Sequence, residues 1–423
     1  MRMFMLLVST VMLTVAGVSA QTTGESSGLF TSDGAWCWFQ DPRAVYIDSP
    51  APRTIALWET RTGRLIIGSY DHETGRVWTH ELKDEWGVDD HNVGSILVLP
   101  DKRLLVFYAR HNGIGLFARM SLEPGEIDRW GEEIVVAKTP RITYSHPAYL
   151  AAEKRYYVFW RGSSWKPTFA TSEDGVNWSE PRILLQDRNR ADTSIRPYTK
   201  ITSDGQTTIH IAFTDGHPRN EPQNSIYYLR YDGGRFLRAD GSFVGDMDNL
   251  PIPHSESDLV YDAAITGHRA WVWDIAEDSG GNPVIAYTRF PSETGHRYHY
   301  ARWTGEKWYD TELVGGGSWF PQTLPDTVES ETYYSAGIAL NHEDPSVLYL
   351  SRPVGGVFEI ERWETLDTGG TWRSEPVTAG SRFRNVRPVV PFGSTGDSRH
   401  VLWMNGEYVH YTFYKTSIRI AGE

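Results

Sequence analysis

The sequence predicts an all-β protein that folds as a single seven-bladed β-propeller, and three observations lead to this prediction. The chain contains 17 Trp, 22 Tyr, 16 Phe and 39 Gly among 423 residues, a composition that favours strands and tight turns over helices. Short apolar or alternating segments recur along it, whereas long amphipathic helical patterns are nearly absent. One type of turn also recurs at intervals of roughly 50–70 residues, which is typical of stacked blades.

The recurring turn is polar and contains glycine, and a Trp or Phe follows it directly. It occurs at residues 71–78, 172–178, 232–236, 304–308 and 367–372, and Trp130 follows a sixth turn. Six turns and one blade closed by the two chain ends give seven blades of about 57 residues, enough for four strands each. The spacing is also compatible with six or eight blades. We expect the closing blade to pair residues 35–46 with residues 401–403 and 408–414.

The first 20 residues predict a secretory signal peptide, which leaves residues 21–423 for the propeller. Arg2 precedes an apolar stretch at residues 4–18, and the small residues at 18–20 form a cleavage site. No later segment reaches the roughly 18 apolar residues of a membrane span. We therefore expect an extracellular or periplasmic protein that does not bind membranes.

The charge and cysteine content exclude several classes of partner and of architecture. The formal net charge of −13 argues against nucleic acid or an anionic membrane as a partner. It does not exclude an anionic substrate, because a local basic cleft can override the overall charge. Cys37 is the single cysteine, so no internal disulfide can form. No linker or change in composition divides the chain, and we expect one domain and a monomer.

Several motifs resemble those of a BNR-repeat family. They are residues 36–44 (WCWFQDPRA), 144–147 (YSHP), 159–162 (FWRG), 213–218 (FTDGHP) and 338–345 (IALNHEDP). The turns at 172–178 and 367–372 also resemble the Asp-box of bacterial neuraminidase repeats, which marks propellers of many functions. The BNR-repeat family includes the seven-bladed ulvan lyases of polysaccharide lyase families 24 and 25, and it has relatives in rhamnosidase family 145. The resemblance implies a propeller that acts on a polysaccharide.

The resemblance to the ulvan lyases implies four catalytic residues. In those enzymes two histidines lie on one blade, and a tyrosine and an arginine follow on the next. The matching residues here are His91 and His111, which are 20 residues apart, and Tyr144 and Arg161, which are 17 apart. The second spacing is one residue longer than in the family. Tyr156 is therefore an alternative for the tyrosine, since it lies closer to Arg161.

The chemistry of a uronate lyase requires residues of these types. Such an enzyme removes the proton at C5, alpha to a carboxylate, and expels the oxygen at C4. Cationic groups stabilise the enolate-like transition state, while a base takes the proton and an acid protonates the leaving oxygen. Tyr can serve in either step when nearby cations depress its pKa. A cationic pair with a Tyr or His is thus the minimal site, and no cofactor is required.

Further residues are predicted to bind substrate. Arg196 is favoured as a subsite residue within a basic central third of the chain, and Asn92 directly follows a catalytic histidine. Trp165, Tyr198 and Trp319 are candidates for stacking on sugars. The expected partner is an anionic, uronate-containing and sulfated polysaccharide resembling ulvan.

The sequence also allows a structural metal ion. Cys37, His217 and His299 fall on predicted inner strands or at their ends, and the resemblance implies a structural zinc or calcium. No closely spaced ligand motif supports this prediction from the residues alone.

Two other functions remain open at this point. One is a glycoside hydrolase on the same scaffold, either an α-L-rhamnosidase or a sialidase, for which Arg43, Arg161 and Arg196 could form an arginine triad. The other is a propeller that binds carbohydrate without catalysis. Only a lyase leaves unsaturated uronate ends, so the products would distinguish the three functions.

Overall fold

The fold is an all-β propeller of seven blades in one domain, as the sequence predicts. The computed structural model describes residues 28–186, 196–292, 295–318, 336–394 and 400–422. Residues 1–20, predicted to be a signal peptide, and Trp319 lie outside this part of the chain. Each blade is an antiparallel sheet whose innermost strand comes first in the sequence. The last blade is the exception, because its outermost strand comes from the N-terminal end of the described chain.

The first three blades each contain four strands, after a short N-terminal strand, β1 (Gly28–Thr31), that belongs to the last blade. Blade 1 consists of β2 (Ala44–Ile47), β3 (Arg53–Glu59), β4 (Leu65–Asp71) and β5 (Val77–Lys83). Blade 2 consists of β6 (Ser95–Val98), β7 (Leu104–Tyr108), β8 (Leu116–Met120) and β9 (Ile134–Ala137). Blade 3 consists of β10 (Thr143–Leu150), β11 (Arg155–Arg161), β12 (Pro167–Ser172) and β13 (Arg182–Ile183).

The remaining blades include one with six strands. Blade 4 consists of β14 (Thr199–Ser203), β15 (Thr208–Thr214), β16 (Ile226–Asp232), β17 (Arg235–Leu237), β18 (Phe243–Asp246) and β19 (Asp258–Tyr261). Blade 5 consists of β20 (Arg269–Glu277), β21 (Pro283–Ser292), β22 (Gly295–Trp303) and β23 (Trp308–Gly317). Blade 6 consists of β24 (Ile338–Leu340), β25 (Val347–Val354), β26 (Val357–Glu364) and β27 (Arg373–Pro376). Blade 7 combines β28 (Arg384–Val389), β29 (Val401–His410) and β30 (Phe413–Ala421) with β1.

Helical structure is confined to single turns within the described residues. One α-helical turn, α1, spans Ala263–Thr266. The 3-10 turns are Asp90–Asn92, Ser163–Trp165, Met247–Asn249 and His254–Glu256. No helix in this part of the chain is long and apolar enough to cross a membrane.

The six aromatic turns lie between the third and fourth strands of blades 1 to 6. Their geometry is set locally. In blade 3, Asp174 Oδ1 accepts hydrogen bonds from the backbone N–H groups of Val176 and Asn177 at 2.8 and 2.7 Å, and Trp178 Nε1 donates to the Gly175 carbonyl at 3.2 Å. The seventh blade has no such turn, because its outer strand comes from the N-terminus.

The ring is closed by β1, which pairs antiparallel with β30 so that Gly28 lies opposite Ile420. The prediction that residues 35–46 close the ring is therefore wrong. The end of that segment forms β2, the innermost strand of blade 1, and Ala35 bridges to Glu59 within the same region.

The core lies between the blades. The middle strands β3 and β7 are buried on both faces along almost their whole length, because each blade is covered on both sides by its neighbours. Outer strands such as β5 and β27 are largely exposed. Trp36, Trp58, Trp160, Trp271 and Trp403 are among the largest fully buried side chains.

The central channel has two ends, and each holds a cavity. The upper end is where the innermost strands begin. Its cavity is lined by residues near the starts of these strands and by residues in the connections between the second and third strands of blades 2, 4 and 7. The lower end is where they finish, and its cavity is lined by the ends of β2, β6, β10 and β14. Most of the residues predicted to carry the chemistry surround the upper cavity.

Candidate active site

The upper cavity has a volume of about 200 Å³ and is lined by aromatic, histidine and arginine side chains. The lining residues are Cys37, Trp38, Phe39, His91, His111, Tyr144, Tyr198, His217, Arg219, Trp271, Arg387 and Tyr411. They come from blades 2, 3, 4, 5 and 7 and from the segment before blade 1. The cavity is therefore built only when the ring is complete.

Two stacked histidines share one carboxylate at the cavity wall. The rings of His91 and His111 lie 4.2 Å apart at an angle of 12°. Each donates a hydrogen bond from Nδ1 to a different oxygen of Asp89, at 2.6 Å for His91 and 2.9 Å for His111. Because the carboxylate only accepts, this arrangement fixes Nδ1 of both rings as the protonated nitrogen.

The turn that carries Asp89 and His91 is organised by its own side chains. Asp89 also accepts from the backbone N–H of His91 at 3.0 Å, which caps the 3-10 turn. Asn92 Oδ1 accepts from the backbone N–H of His111 at 2.7 Å and so ties the two histidine segments together. The hairpin of β6 and β7 thus brings together residues that are 20 positions apart.

The two histidines have opposite pKa shifts. Burial alone lowers the pKa of His91, but the acidic side chains around it outweigh burial and raise it well above 6.5. Among them, the Asp89 carboxylate supplies the negative charge at neutral pH, because Tyr144 stays protonated. Burial and the positive charge of His91 lower the pKa of His111 to about 4. At neutral pH the pair therefore holds one charged and one neutral imidazole, a separation typical of acid–base sites.

Tyr144 lies across the cavity from the histidines and stays protonated. Its ring centroid is 5.7 Å from that of His91. Burial raises the pKa of Tyr144 well above 10, although the charges of His91 and Arg161 oppose this shift. No described residue forms a hydrogen bond with the Tyr144 hydroxyl, so its proton is available to a molecule in the cavity.

Arg161 is a buried cation without a carboxylate partner among the described residues. It lies directly behind the cavity wall, with its Cζ atom 4.6 Å from the centroid of the Tyr144 ring. Its guanidinium donates to the Tyr198 hydroxyl at 3.0 Å and to Asn112 Oδ1 and Thr143 Oγ1 at 3.2 Å each. All three acceptors are neutral, so its charge is left uncompensated in a buried setting.

Backbone strain is concentrated around this site. Ten non-glycine residues in the described part of the chain have a left-handed φ. Most of them lie towards the upper end of the channel, including Asn112, Arg141, Ser164 and Trp165, and two of them, Tyr144 and Arg387, line the upper cavity. Such conformations cost roughly 1–3 kcal/mol each and cluster where function requires a particular side-chain direction.

A second buried ion pair anchors the histidine turn to blade 7. Asp90 is fully buried, and its Oδ2 accepts from Arg387 Nη1 at 2.6 Å and from the Tyr408 hydroxyl at 2.7 Å. The backbone N–H of Asp90 donates to the carbonyl of Tyr411 at 2.9 Å. The Tyr411 ring then stands edge-on to the imidazoles of His91 and His111, with centroids at 4.9 and 5.7 Å.

Sequence reasoning missed several of these residues. Asp89 and Asp90 directly precede His91, so the local sequence contained a usable signal for them. Arg387 and Tyr411 come from the other end of the chain, and their position depends on ring closure.

The structure places the predicted substrate-binding residues in different roles. Tyr198 lines the cavity. The side-chain amide of Asn92 is instead held by the backbone, since Nδ2 donates to Gly87 O at 2.7 Å while Oδ1 accepts from His111 N. Both faces of Trp165 are covered by guanidinium groups, those of Arg141 and Arg196. Asn92 is thus a positioning residue, and Trp165 presents no open face to a sugar.

The predicted metal ligands do not come together. Cys37 and His217 both line the upper cavity, whereas His299 lies on β22, where its Nδ1 meets Asp310 Oδ1 at 3.1 Å. Two other sets of donor atoms are close enough to share a cation: Cys37 with Asp90 and His91, and Asp89 with His91 and His111. Both sets include His91, whose Nδ1 donates its proton to Asp89, so a cation bound through this nitrogen would displace that proton.

Two alternatives from the sequence are also not supported by the geometry. Arg43 pairs with Asp41 at 2.9 Å and donates to the Cys37 carbonyl at 2.7 Å, so it does not join Arg161 and Arg196 in an arginine triad. Tyr156 packs on Tyr149 with ring centroids 4.7 Å apart, at the lower end of β11, whereas Tyr144 lines the cavity.

Comparison with known proteins identifies one family and several similar structures. Residues 53–314, more than half of the chain, match the family described as "BNR repeat-containing family member". A solved PL25 ulvan lyase bound to -[GlcA(1-4)Rha3S]- is similar to this chain with a TM-score of 0.71 and 16% identity, over 94% of this chain and 96% of that one. The polysaccharide lyase Uly1 is similar with a TM-score of 0.59 and 13% identity, over 95% and 98% of the two chains. No curated protein sequence matches.

Proposed function

This chain belongs to the BNR repeat-containing family, and we propose that it is a polysaccharide lyase that cleaves a uronate-containing, sulfated polysaccharide resembling ulvan by β-elimination. The similar PL25 structure is of an ulvan lyase bound to an oligosaccharide of glucuronate and sulfated rhamnose. That likeness supports the fold, and the argument for the reaction comes from the upper cavity.

One observation carries the proposal: a small cavity combines uncompensated positive charge with a protonated tyrosine. Asp89 balances only one of the two charges on His91 and Arg161, and Asp90 is already paired with Arg387. The cavity wall therefore favours an anion. A uronate carboxylate placed there would have its charge neutralised, which is what makes the proton at C5 removable.

We assign the roles from the protonation states. Charged His91, supported by the field of Arg161, stabilises the enolate-like transition state. Neutral His111 is the base that takes the C5 proton, because an incoming carboxylate raises its low pKa towards the working range. Tyr144 remains protonated and donates its proton to the leaving C4 oxygen. The proton count then balances, since one proton is taken and one is given.

The proposal also covers the localisation and the oligomeric state of the protein. We propose a secreted monomer, because the sequence begins with a predicted signal peptide and forms one closed ring. The reaction as assigned uses only side chains of this chain, and we propose no catalytic metal or organic cofactor.

The decisive experiment measures the products. The protein is incubated with ulvan, and two signals are followed: the ultraviolet absorbance of a new C4–C5 double bond and the release of reducing ends. We expect both signals to rise together with the wild-type protein. The activity should fall by at least about 100-fold in His91→Asn and in His111→Asn.

Two results would contradict the proposal. Release of reducing ends without the double bond would mean hydrolysis. Full activity in both histidine variants would move the chemistry away from this cavity. The Asn substitutions keep a polar group of similar reach, and the melting temperature of each variant should be measured to confirm that it is folded.

A further inference from the structure

A pair of arginines encloses one indole ring beside the upper cavity. The Cζ atoms of Arg141 and Arg196 lie 3.7 and 3.9 Å from the centroid of the Trp165 ring. Two guanidinium groups so close to one centroid would overlap on a single face, so they cover opposite faces of the indole. We call these three residues the arginine clamp.

The arginine clamp adjoins the catalytic cavity through the chain. Arg141 precedes Tyr144 by three residues, and Arg196 precedes Tyr198 by two. Both tyrosines line the cavity. Trp165 lies on the connection between β11 and β12, in the same blade as Tyr144. A polymer that enters the cavity from the upper end therefore passes close to the clamp.

The backbone of the clamp is held in an unfavourable conformation. Arg141 has a φ of 66°, and Ser164 and Trp165 have φ values of 55° and 56°. Residues with a Cβ adopt this left-handed region only when the surrounding structure imposes it. Here the strained turns direct the indole between the two guanidiniums.

The charges of the clamp are not compensated within the described part of the chain. Neither Arg141 nor Arg196 forms an ion pair there, although the whole protein carries a net charge of −13 and acidic residues are abundant. Two like charges are instead held on either side of a rigid ring. Guanidinium groups that are stacked and unpaired keep their N–H edges available for oxyanions.

We propose that the arginine clamp is an anion-binding subsite for a charged group on a sugar next to the one in the catalytic cavity. The group is an oxyanion, either a sulfate ester or a second carboxylate. Trp165 acts as a spacer that fixes the positions of the two guanidiniums rather than as a platform for sugar stacking. This inference rests on the proposed function, because it assumes that one polyanionic chain occupies both places.

Calorimetric binding tests the subsite directly. The probes are an oligosaccharide of alternating glucuronate and 3-sulfated rhamnose, and the same oligosaccharide after chemical desulfation. The full chain carries Tyr144→Phe, so that turnover does not consume the probe. The variants tested add Arg141→Gln, Arg196→Gln or both substitutions to this Tyr144→Phe protein.

The matched control is Arg235→Gln, which removes the same charge from an exposed position on the outer part of blade 4. Melting temperatures of all variants establish that they are folded.

We expect each single substitution to weaken binding of the sulfated probe by about 5-fold and the double substitution by about 20-fold. The control should stay within about twofold of the background. A loss seen only with the sulfated probe identifies the sulfate ester as the bound group, and an equal loss with both probes identifies the carboxylate. Binding by the double variant that equals that of the control would overturn the subsite.

The outcome is separable from that of the proposed reaction. If the clamp variants lose affinity while the wild-type protein yields no unsaturated product, the subsite stands and the lyase proposal fails. The clamp substitutions are also made in the wild-type protein, which keeps Tyr144. If these variants yield unsaturated product with the same KM as the wild-type protein, the reaction stands and the subsite fails.

Discussion

The two ends of the central channel hold cavities that differ in volume and in lining, and the larger cavity is not the one with the reactive side chains. The lower cavity is the larger, at about 610 Å³, and its lining is mostly apolar. The upper cavity is about 200 Å³, yet it holds two histidines that share a carboxylate, a protonated tyrosine and a nearby unpaired arginine. Most of the left-handed non-glycine residues also surround the upper end. If the proposed reaction takes place at the upper end, uncompensated charge and backbone strain mark the site of the chemistry better than volume does.

Removing one hydroxyl at each end should give the largest contrast. We expect Tyr144→Phe to slow turnover of ulvan by about 1,000-fold with little change in KM, because the leaving oxygen loses its proton donor. The matched variant is Tyr149→Phe, which removes the same group from the lower cavity and should keep wild-type activity. Equal losses in the two variants, measured by the absorbance of the new double bond, would break the comparison.

Removing a carboxylate at each end should give a smaller contrast that also depends on pH. In Asp89→Asn the anion that holds His91 charged is lost, so the pKa of His91 falls and both imidazoles lose their orientation. We expect turnover at pH 8 to slow by about 10- to 100-fold. The loss should be smaller at pH 5.5, where more of His91 regains its proton.

The control for this variant is Asp48→Asn at the lower cavity. Asp48 is exposed, and its only ion pair among the described residues is with Lys102 at 3.9 Å. A pH profile of Asp89→Asn that is parallel to that of the wild-type protein would show that Asp89 does not set the charge of His91.

Acid should destabilise the whole ring rather than one end of the channel. Burial lowers the pKa of His146, His217 and His299 to about 3, while in the unfolded chain they titrate near 6.5. The unfolded state therefore binds more protons between these values, and stability falls as the pH drops below about 6.5. His91 has the opposite sign, since its raised pKa stabilises the folded state at low pH.

Glu59, whose pKa burial raises to about 10, acts in the same direction as His91. Because the histidines with lowered pKa values outnumber these two groups, we expect the melting temperature to be lower at pH 5 than at pH 7 by at least about 5 °C. The difference should shrink in His146→Asn, which removes a fully buried imidazole that does not line the upper cavity. A melting temperature that stays constant or rises on acidification would contradict this sign.

The fold could be predicted where its determinants are local in sequence. The turn at Ser172–Trp178 is held by hydrogen bonds that span only a few residues, so its pattern is recognisable in the sequence and recurs once in each of blades 1 to 6. Ring closure is not local. Strand β1 has four residues and pairs with a strand almost 400 positions away, and nothing in its own composition distinguishes it from the segment at 35–46.

The candidate site also contains residues that could be predicted from local sequence and residues that could not. His91 and His111 flank one hairpin, so their spacing carried information about their proximity. Tyr411 reaches the same two rings from blade 7 and could not be found without the closed ring. The arginines that stack on Trp165 could not be predicted either, because a sequence shows where an aromatic residue occurs but not what covers its faces.

Blocking the lower cavity should have the smallest effect and tests the comparison from the opposite side. Gln206 is exposed and lines this cavity, so Gln206→Trp places a large ring in it without disturbing the core. If the chemistry belongs to the upper end, turnover and KM on ulvan should both stay within about twofold of their wild-type values. Turnover that slows by about tenfold or more, in a variant that melts at the wild-type temperature, would mean that the channel works as one site. The difference in charge and strain between its two ends would then not locate the reaction.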